Sequence, residues 1–105
     1  MFVHAVYFWL KQGTSAEARE QLIGDCTRLL SKIPSVRHLW VGKPAMTPRP
    51  VVDNSYDVGL CVVLDDVAGH DAYQVHPLHL EFVARNGATF GRVQIYDTAG
   101  SDCSD

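Results

Sequence analysis

The 105-residue chain carries 9 basic and 12 acidic side chains, a formal charge of -3, with 47% apolar and 20% charged residues; this is one globular domain with a modest core and not a disordered chain. Scattered lysines and arginines under a net negative charge exclude an electrostatic grip on nucleic acid. The apolar run from Ala5 to Leu10 falls far short of the roughly 20 residues a membrane span needs, and no basic segment precedes a long apolar one at the start, so the expected compartment is the cytoplasm.

The opening FVHAVYFWL is β-branched and aromatic on both alternating sets, which predicts a strand over Phe2 to Leu10 covered on two sides. Thr14 with Glu17 three residues later has the spacing of a capping box and predicts a helix start. Leu22, Cys26, Leu29, Leu30 and Ile33 recur at helical spacing as one apolar stripe, with Glu20, Asp25, Arg28 and Lys32 expected mostly outside it. Pro34 ends this helix. VRHLWVGK then reads as a second strand ending at Gly42. The following KPAMTPRPVVDNS holds three prolines, which rule out a central strand there.

YDVGLCVVL is the third predicted strand, with Tyr56, Val58, Leu60, Val62 and Leu64 on one face and Asp57, Gly59, Cys61 and Val63 on the other. DDVAGHDAYQVH opens with an aspartate cap and continues as a helix. It must break at His76-Pro77, because a residue before proline is pushed out of the α region. Pro77 suits the first position of a new helical stretch, LHLEFVAR, closed by Asn86-Gly87. GRVQIYDTA is the fourth strand. The order β-α-β-β-α-β predicts an α+β, ferredoxin-like subunit: a four-stranded antiparallel sheet with two helices on one face. The domain is expected over residues 1–99, with 100–105 as a flexible tail that contains Cys103. Cys26 and Cys61 are expected to pack as small hydrophobes, and no C-x-x-C spacing is present.

Alternation puts His4, Val6, Phe8, Leu39, Val41, Leu60, Val62, Val93 and Ile95 toward the helices. The opposite set, Val3, Ala5, Tyr7, Trp9, Trp40, Cys61, Val63 and Tyr96, is too apolar for a free surface. A patch of that extent predicts an interface, most simply with a second copy packed sheet to sheet, and hence a homodimer.

His4, Val6, Phe8 and Leu10 spell H-x-V-x-F-x-L, Tyr56-Asp57 opens a strand, and Tyr73, His76, Pro77 and His79 spell Y-x-x-H-P-x-H. With these the chain, from Met1 to about Ala99, resembles the stress-responsive A/B barrel (Dabb) family. The resemblance implies a dimeric α/β barrel of two ferredoxin-like subunits. It implies no single reaction, although one plant member closes a linear polyketide by aldol condensation. That enzyme uses a tyrosine and a histidine of the second helix region with a histidine of strand one. The matching positions here are Tyr73, His79 and His4, and Asp97 stands where an aspartate partner of a histidine would be.

The residues make their own case. His76 is expected to cap the helix break through its ring. His79, with Phe82 and Val83 three and four residues on, belongs to the inward stripe. His4 and Asp97 point from the sheet into the same space, which Val6, Phe8, Leu60, Val62 and Phe82 would line. A histidine held by a carboxylate can serve as a base, and a tyrosine hydroxyl can donate to a developing enolate. This predicts His79 as base, Tyr73 as donor, and His4 and Asp97 as orienting groups, acting on a small apolar or aromatic molecule without a cofactor. The competing reading is a non-catalytic, stress-associated homodimer in which His4, His79 and Asp97 satisfy one another. A third, a cofactor-free monooxygenase of related dimers, calls for an Asn/Trp/His set that is not found. No metal is expected: the break at Pro77 separates His70, His76 and His79, and no Cys or Glu completes a zinc set. A hard cation on backbone carbonyls at the break stays open. An open cavity walled by His79 and Tyr73 would favour the ligand-binding reading over the structural one.

Overall fold

In a computed structural model, residues 1–101 are described; the part of the expected tail from 102 onward, Cys103 included, lies outside the described residues. The strands are β1 (Phe2–Leu10), β2 (Val36–Gly42), β3 (Val58–Leu64) and β4 (Phe90–Ala99), and the helices are α1 (Ala16–Arg28), α2 (Val67–Val75) and α3 (Pro77–Asn86). The sheet order is β2-β3-β1-β4 with every neighbouring pair antiparallel. This is the ferredoxin-like arrangement. The second helical region is two helices rather than one, as the proline requires.

β1 and β3 occupy the centre, and their inward residues Val6, Phe8, Val58, Leu60, Val62 and Leu64 are buried with Leu22, Cys26, Leu29, Leu30 and Ile33 from α1 and the turn after it. Burial pushes the Cys26 thiol up to about 12, so it stays protonated and behaves as a small hydrophobe.

Three local expectations are corrected. The cap of α1 is Ser15, whose hydroxyl accepts from the Ala18 N–H at 3.1 Å, one residue later than the Thr14–Glu17 box. Thr14 is taken up by the preceding turn, its hydroxyl donating to the Lys11 carbonyl at 2.6 Å, where Gly13 adopts a positive φ of 87°.

Asp25 is buried rather than outside the stripe, because α3 crosses it there. Its carboxylate accepts from Arg85 Nε at 2.7 Å, Arg28 at 2.9 Å and the Asn86 amide at 3.0 Å. These three donors hold its carboxyl below the usual carboxylate range against the opposing effect of burial.

β3 begins at Val58, not Tyr56. The chain joins the ladder through Asp57, whose N–H donates to the Phe8 carbonyl and whose carboxylate accepts from Leu10 N–H at 2.7 Å. The alternation therefore does not extend back to Tyr56, whose ring lies edge-on to Tyr7 at 4.9 Å on the open face of the sheet.

That open face is as apolar as the pattern implies. Trp40 and Tyr96 are 59% and 61% exposed on it. Gly59 is closely approached there: a Cβ at that position would come within 3.2 Å of Tyr56 and 3.5 Å of Tyr7, so the Tyr56 ring would have to give by a few tenths of an ångström. The proline-rich loop forms no strand and reaches back over the face, where Ser55 accepts from the Trp9 indole at 3.0 Å. No described helix is long and apolar enough to cross a membrane.

Candidate functional site

The break between α2 and α3 is made by one residue serving both ends. His76 is extended, its N–H donates to the Tyr73 carbonyl to close α2, and its ring Nδ1 accepts from the Leu78 N–H at 3.1 Å to open α3, with Pro77 in the first position. His76 is thereby committed to structure. The bend turns Tyr73, near the end of α2, and His79, in the first turn of α3, toward each other. Their rings meet edge-on at 4.9 Å.

Between these helices and the sheet lies a cavity of about 170 Å³. Val6, Phe8, Leu60 and Phe82 form its apolar wall together with Val83, Phe90, Val93 and Ile95, and its polar groups come from His4, Tyr73, Gln74 and His79. Of the expected lining residues, Val62 is not at this wall. It is fully buried on β3, opposite His4 in the ladder. Two larger depressions, of about 330 and 310 Å³, lie on the open sheet face around Tyr7, Trp40, Tyr56 and Tyr96; they hold none of the converging histidines.

The polar groups divide differently from the expectation. Asp97 does not reach His79. It sits directly opposite His4 across the β1–β4 ladder, and the His4 Nδ1–H donates to its Oδ1 at 2.6 Å. The acceptor-only carboxylate fixes the His4 tautomer and leaves its Nε2 as the lone-pair nitrogen. His79 has no such support: its Nδ1 is buried and unpartnered among the described residues. The reading in which His4, His79 and Asp97 satisfy one another fails at His79.

Burial lowers the pKa of His79, with the nearby His4 and His70 acting in the same direction. Burial also lowers that of His4, against the opposing bond to Asp97. Both imidazoles are neutral at pH 7. Tyr73 is 1% exposed and burial raises its phenol above the usual range, so it stays protonated. The cavity thus presents a neutral imidazole and a protonated phenol side by side, which suits removal of a proton next to a carbonyl while the oxygen receives a hydrogen bond.

Gln74 was not anticipated, and His70 was weighed only alongside His76 and His79. Gln74 lines the cavity, and its amide nitrogen lies 3.4 Å from His4 Nε2 and 3.3 Å from His70 Nε2. His70, one turn before Gln74 on α2, lies tilted against Phe2 at 4.8 Å and meets His4 edge-on at 5.0 Å. The i, i+4 spacing of His70 and Gln74 was the available signal.

A family model described as the stress responsive A/B barrel domain matches residues 2–99. Among solved structures, a dimeric ferredoxin-like protein of unknown function from Thermobifida fusca is 22% identical over 93% of this chain and 89% of its own, with a TM-score of 0.79. A Dabb family protein with a ferredoxin-like fold from Mesorhizobium loti is 24% identical over 96% of this chain and 97% of its own, with a TM-score of 0.77. A hydroxynitrile lyase from Passiflora edulis is 16% identical over 99% and 96%, with a TM-score of 0.79. At these identities the likeness is one of fold. No curated protein matches the chain in sequence.

Proposed function

The chain belongs to the stress responsive A/B barrel domain family, and from that premise we propose that it is a homodimer whose protomers each bind a small carbonyl-bearing or single-ring aromatic molecule between sheet and helices, with His79 as base and Tyr73 as hydrogen-bond donor. The observation that carries this reading is the buried, unpartnered Nδ1 of His79 at the wall of an apolar cavity. A fold has no use for a stranded polar atom in its interior, whose burial costs about 1–3 kcal/mol; a ligand supplies the missing partner. The cavity sets the size: about 170 Å³ compares with the roughly 150 Å³ that accommodates benzene in an engineered protein core. An extended chain does not fit without movement.

In the proposed chemistry the ligand's carbonyl oxygen faces the Tyr73 hydroxyl. His79 takes a proton from the neighbouring carbon, the electron pair moves onto oxygen, and the same proton is returned to the ligand or its product. His4, held by Asp97, positions the wall beside Tyr73, its ring 5.7 Å from the phenol. That one solved structure of this fold is a lyase supports chemistry at such a site. The dimer rests on the apolar open face and on relatives described as dimeric.

The test is a thermal-shift screen of single-ring aldehydes, ketones and phenols against wild type, Tyr73→Phe and His79→Phe, followed by solvent deuterium uptake next to the carbonyl of any binder. A binder that stabilises wild type alone and exchanges about 10²–10⁴-fold more slowly with the variants is the expected result. Equal stabilisation of all three proteins, or no binder at all, leaves the structural homodimer as the better account.

A further inference from the structure

We propose that His4 and His70 form a binding site for a divalent first-row transition ion of the zinc type, with Asp97 and Asp71 behind them. The two histidines come from different elements, β1 and α2, yet each turns the same nitrogen to the same place. His4 Nδ1 is bonded to Asp97 at 2.6 Å and His70 Nδ1 faces Asp71 Oδ1 at 3.2 Å. Each Nε2 is left bearing its lone pair, and both point at one spot, now marked by the Gln74 amide at 3.4 and 3.3 Å. A carboxylate behind a ligating imidazole, setting its tautomer and raising its basicity, is how metal-binding histidines are ordinarily held. Here the arrangement occurs twice around one point.

Charge and donor count agree. One potential donor atom each from His4, His70 and Asp97 lies within 4.8 Å of the others; because Asp97 Oδ1 is bonded to His4 Nδ1, Asp97 stands behind His4 and contributes charge rather than a bond to an ion on Nε2. Donors on one tetrahedral zinc-type ion, at about 2.0–2.2 Å each, stand about 3.3–3.6 Å apart, so binding requires a closure of up to about 1.5 Å. The side chain of His70, 17% exposed on α2, would supply that movement. Asp97 Oδ2 is 3.8 Å from His70 Nε2, and no lysine or arginine among the described residues pairs with Asp97. Turning the Gln74 side chain over would bring its carbonyl oxygen to the same point as a further donor. Two imidazoles with oxygen donors suit zinc, cobalt or nickel rather than calcium or magnesium.

Sequence reasoning looked for metal partners of His70 along the helices, at His76 and His79, and missed it. The partner comes from the first strand, 66 residues away. Since His4 also lines the cavity, the ion would sit at its wall, where it could polarise a ligand's oxygen; the site stands or falls independently of that reading.

The experiment is calorimetric titration of the tag-free, chelator-stripped protein with zinc, and with cobalt for its visible absorption. One ion per protomer is expected, with cobalt bands of a low-symmetry nitrogen and oxygen site. His70→Ala should weaken binding at least 100-fold, and Asp97→Asn by 10- to 100-fold, each variant first checked for a wild-type circular dichroism spectrum. Binding that is undiminished in His70→Ala, or no saturable binding by the wild type, overturns the proposal. If Asp97→Asn fails to fold, Asp71→Asn on the exposed side replaces it, with a 10-fold or greater loss expected; unchanged affinity there together with unchanged affinity in His70→Ala refutes the site.

Discussion

Replacing His79 by phenylalanine should make the protein more stable and unable to bind its ligand. The ring keeps its edge-on packing against Tyr73, 4.9 Å away in the wild type, while the buried Nδ1 that has no partner among the described residues is removed. A stranded polar group of this kind costs about 1–3 kcal/mol; His79 is only partly buried, so the low end, about 1 kcal/mol, applies. For a domain of this size that is a rise of roughly 4–8 °C in melting temperature.

The gain should also depend on pH. Burial holds the His79 pKa in the folded state below its ordinary 6.5, so in acid the unfolded chain takes up a proton before the folded one does. The stability associated with neutral His79 is complete above 6.5 and is lost as pH falls below that value toward the folded pKa. The phenylalanine variant has no such loss, and the gap in melting temperature should widen between pH 7 and pH 5. Differential scanning calorimetry of both proteins at the two values measures it. A variant less stable than wild type at pH 7, or a gap that narrows in acid, would show that His79 has a structural partner and that its nitrogen is not stranded.

Other parts of the molecule make separate commitments. Asp25→Asn removes the charge that Arg85, Arg28 and Asn86 share between α1 and α3 and should cost about 2 kcal/mol in urea unfolding, below the usual 3–5 kcal/mol of a fully buried pair because both arginines are exposed. Since the Asp25 pKa is lowered in the fold, the stability it contributes is present above 3.8 and lost as pH falls through the folded value, so wild type and variant should converge in strong acid. Glutamate at both Trp40 and Tyr96, the most exposed aromatics of the open sheet face, should give a folded monomer by light scattering; a persistent dimer would place the interface elsewhere. Cys26, with its thiol pushed up to about 12, should resist alkylation until the protein unfolds, and modification at the rate of an exposed thiol would contradict its burial.

The strands were legible because alternation states which side chains share a face of their own element: burial alternates along β1 from Phe2 to Trp9 and along β3 as far as Val62, after which Val63, expected on the open face, is buried as well. The split helix was legible because proline acts locally: His76-Pro77 fixes the break whatever packs around it. What alternation and spacing do not state is what lies opposite. Asp25 looks like a solvent residue on a helical wheel and is buried because α3 brings Arg85 and Asn86 across it. Asp97 was expected to partner a histidine, with no means of saying which. The ladder sets it against His4, because β1–β4 register places these two residues directly opposite. His70 was weighed against His76 and His79 on the helices and set aside for the same reason, its companion being on β1. Tyr56 failed through geometry, since a strand pattern carries no mark of the residue at which the ladder begins.

The site's two halves consequently differ in how firmly they are held. β1 is hydrogen-bonded on both sides, to β3 and to β4, and its side chains serve both faces of the sheet: His4, Val6 and Phe8 wall the cavity while Tyr7 and Trp9 form the open face. Its backbone has no freedom that the helices could alter, and His4 is further tied to Asp97. Tyr73 and His79 ride on either side of the break at His76, and α3 is tied beyond it to α1 by Arg85 and Asn86 on Asp25. A small rotation there changes the distance between phenol and imidazole, and the size of the cavity, without disturbing a single ladder bond. Adaptation to a ligand therefore belongs to α2 and α3, whereas the sheet supplies a fixed floor, and a second copy packed on its open face would make that floor more rigid still.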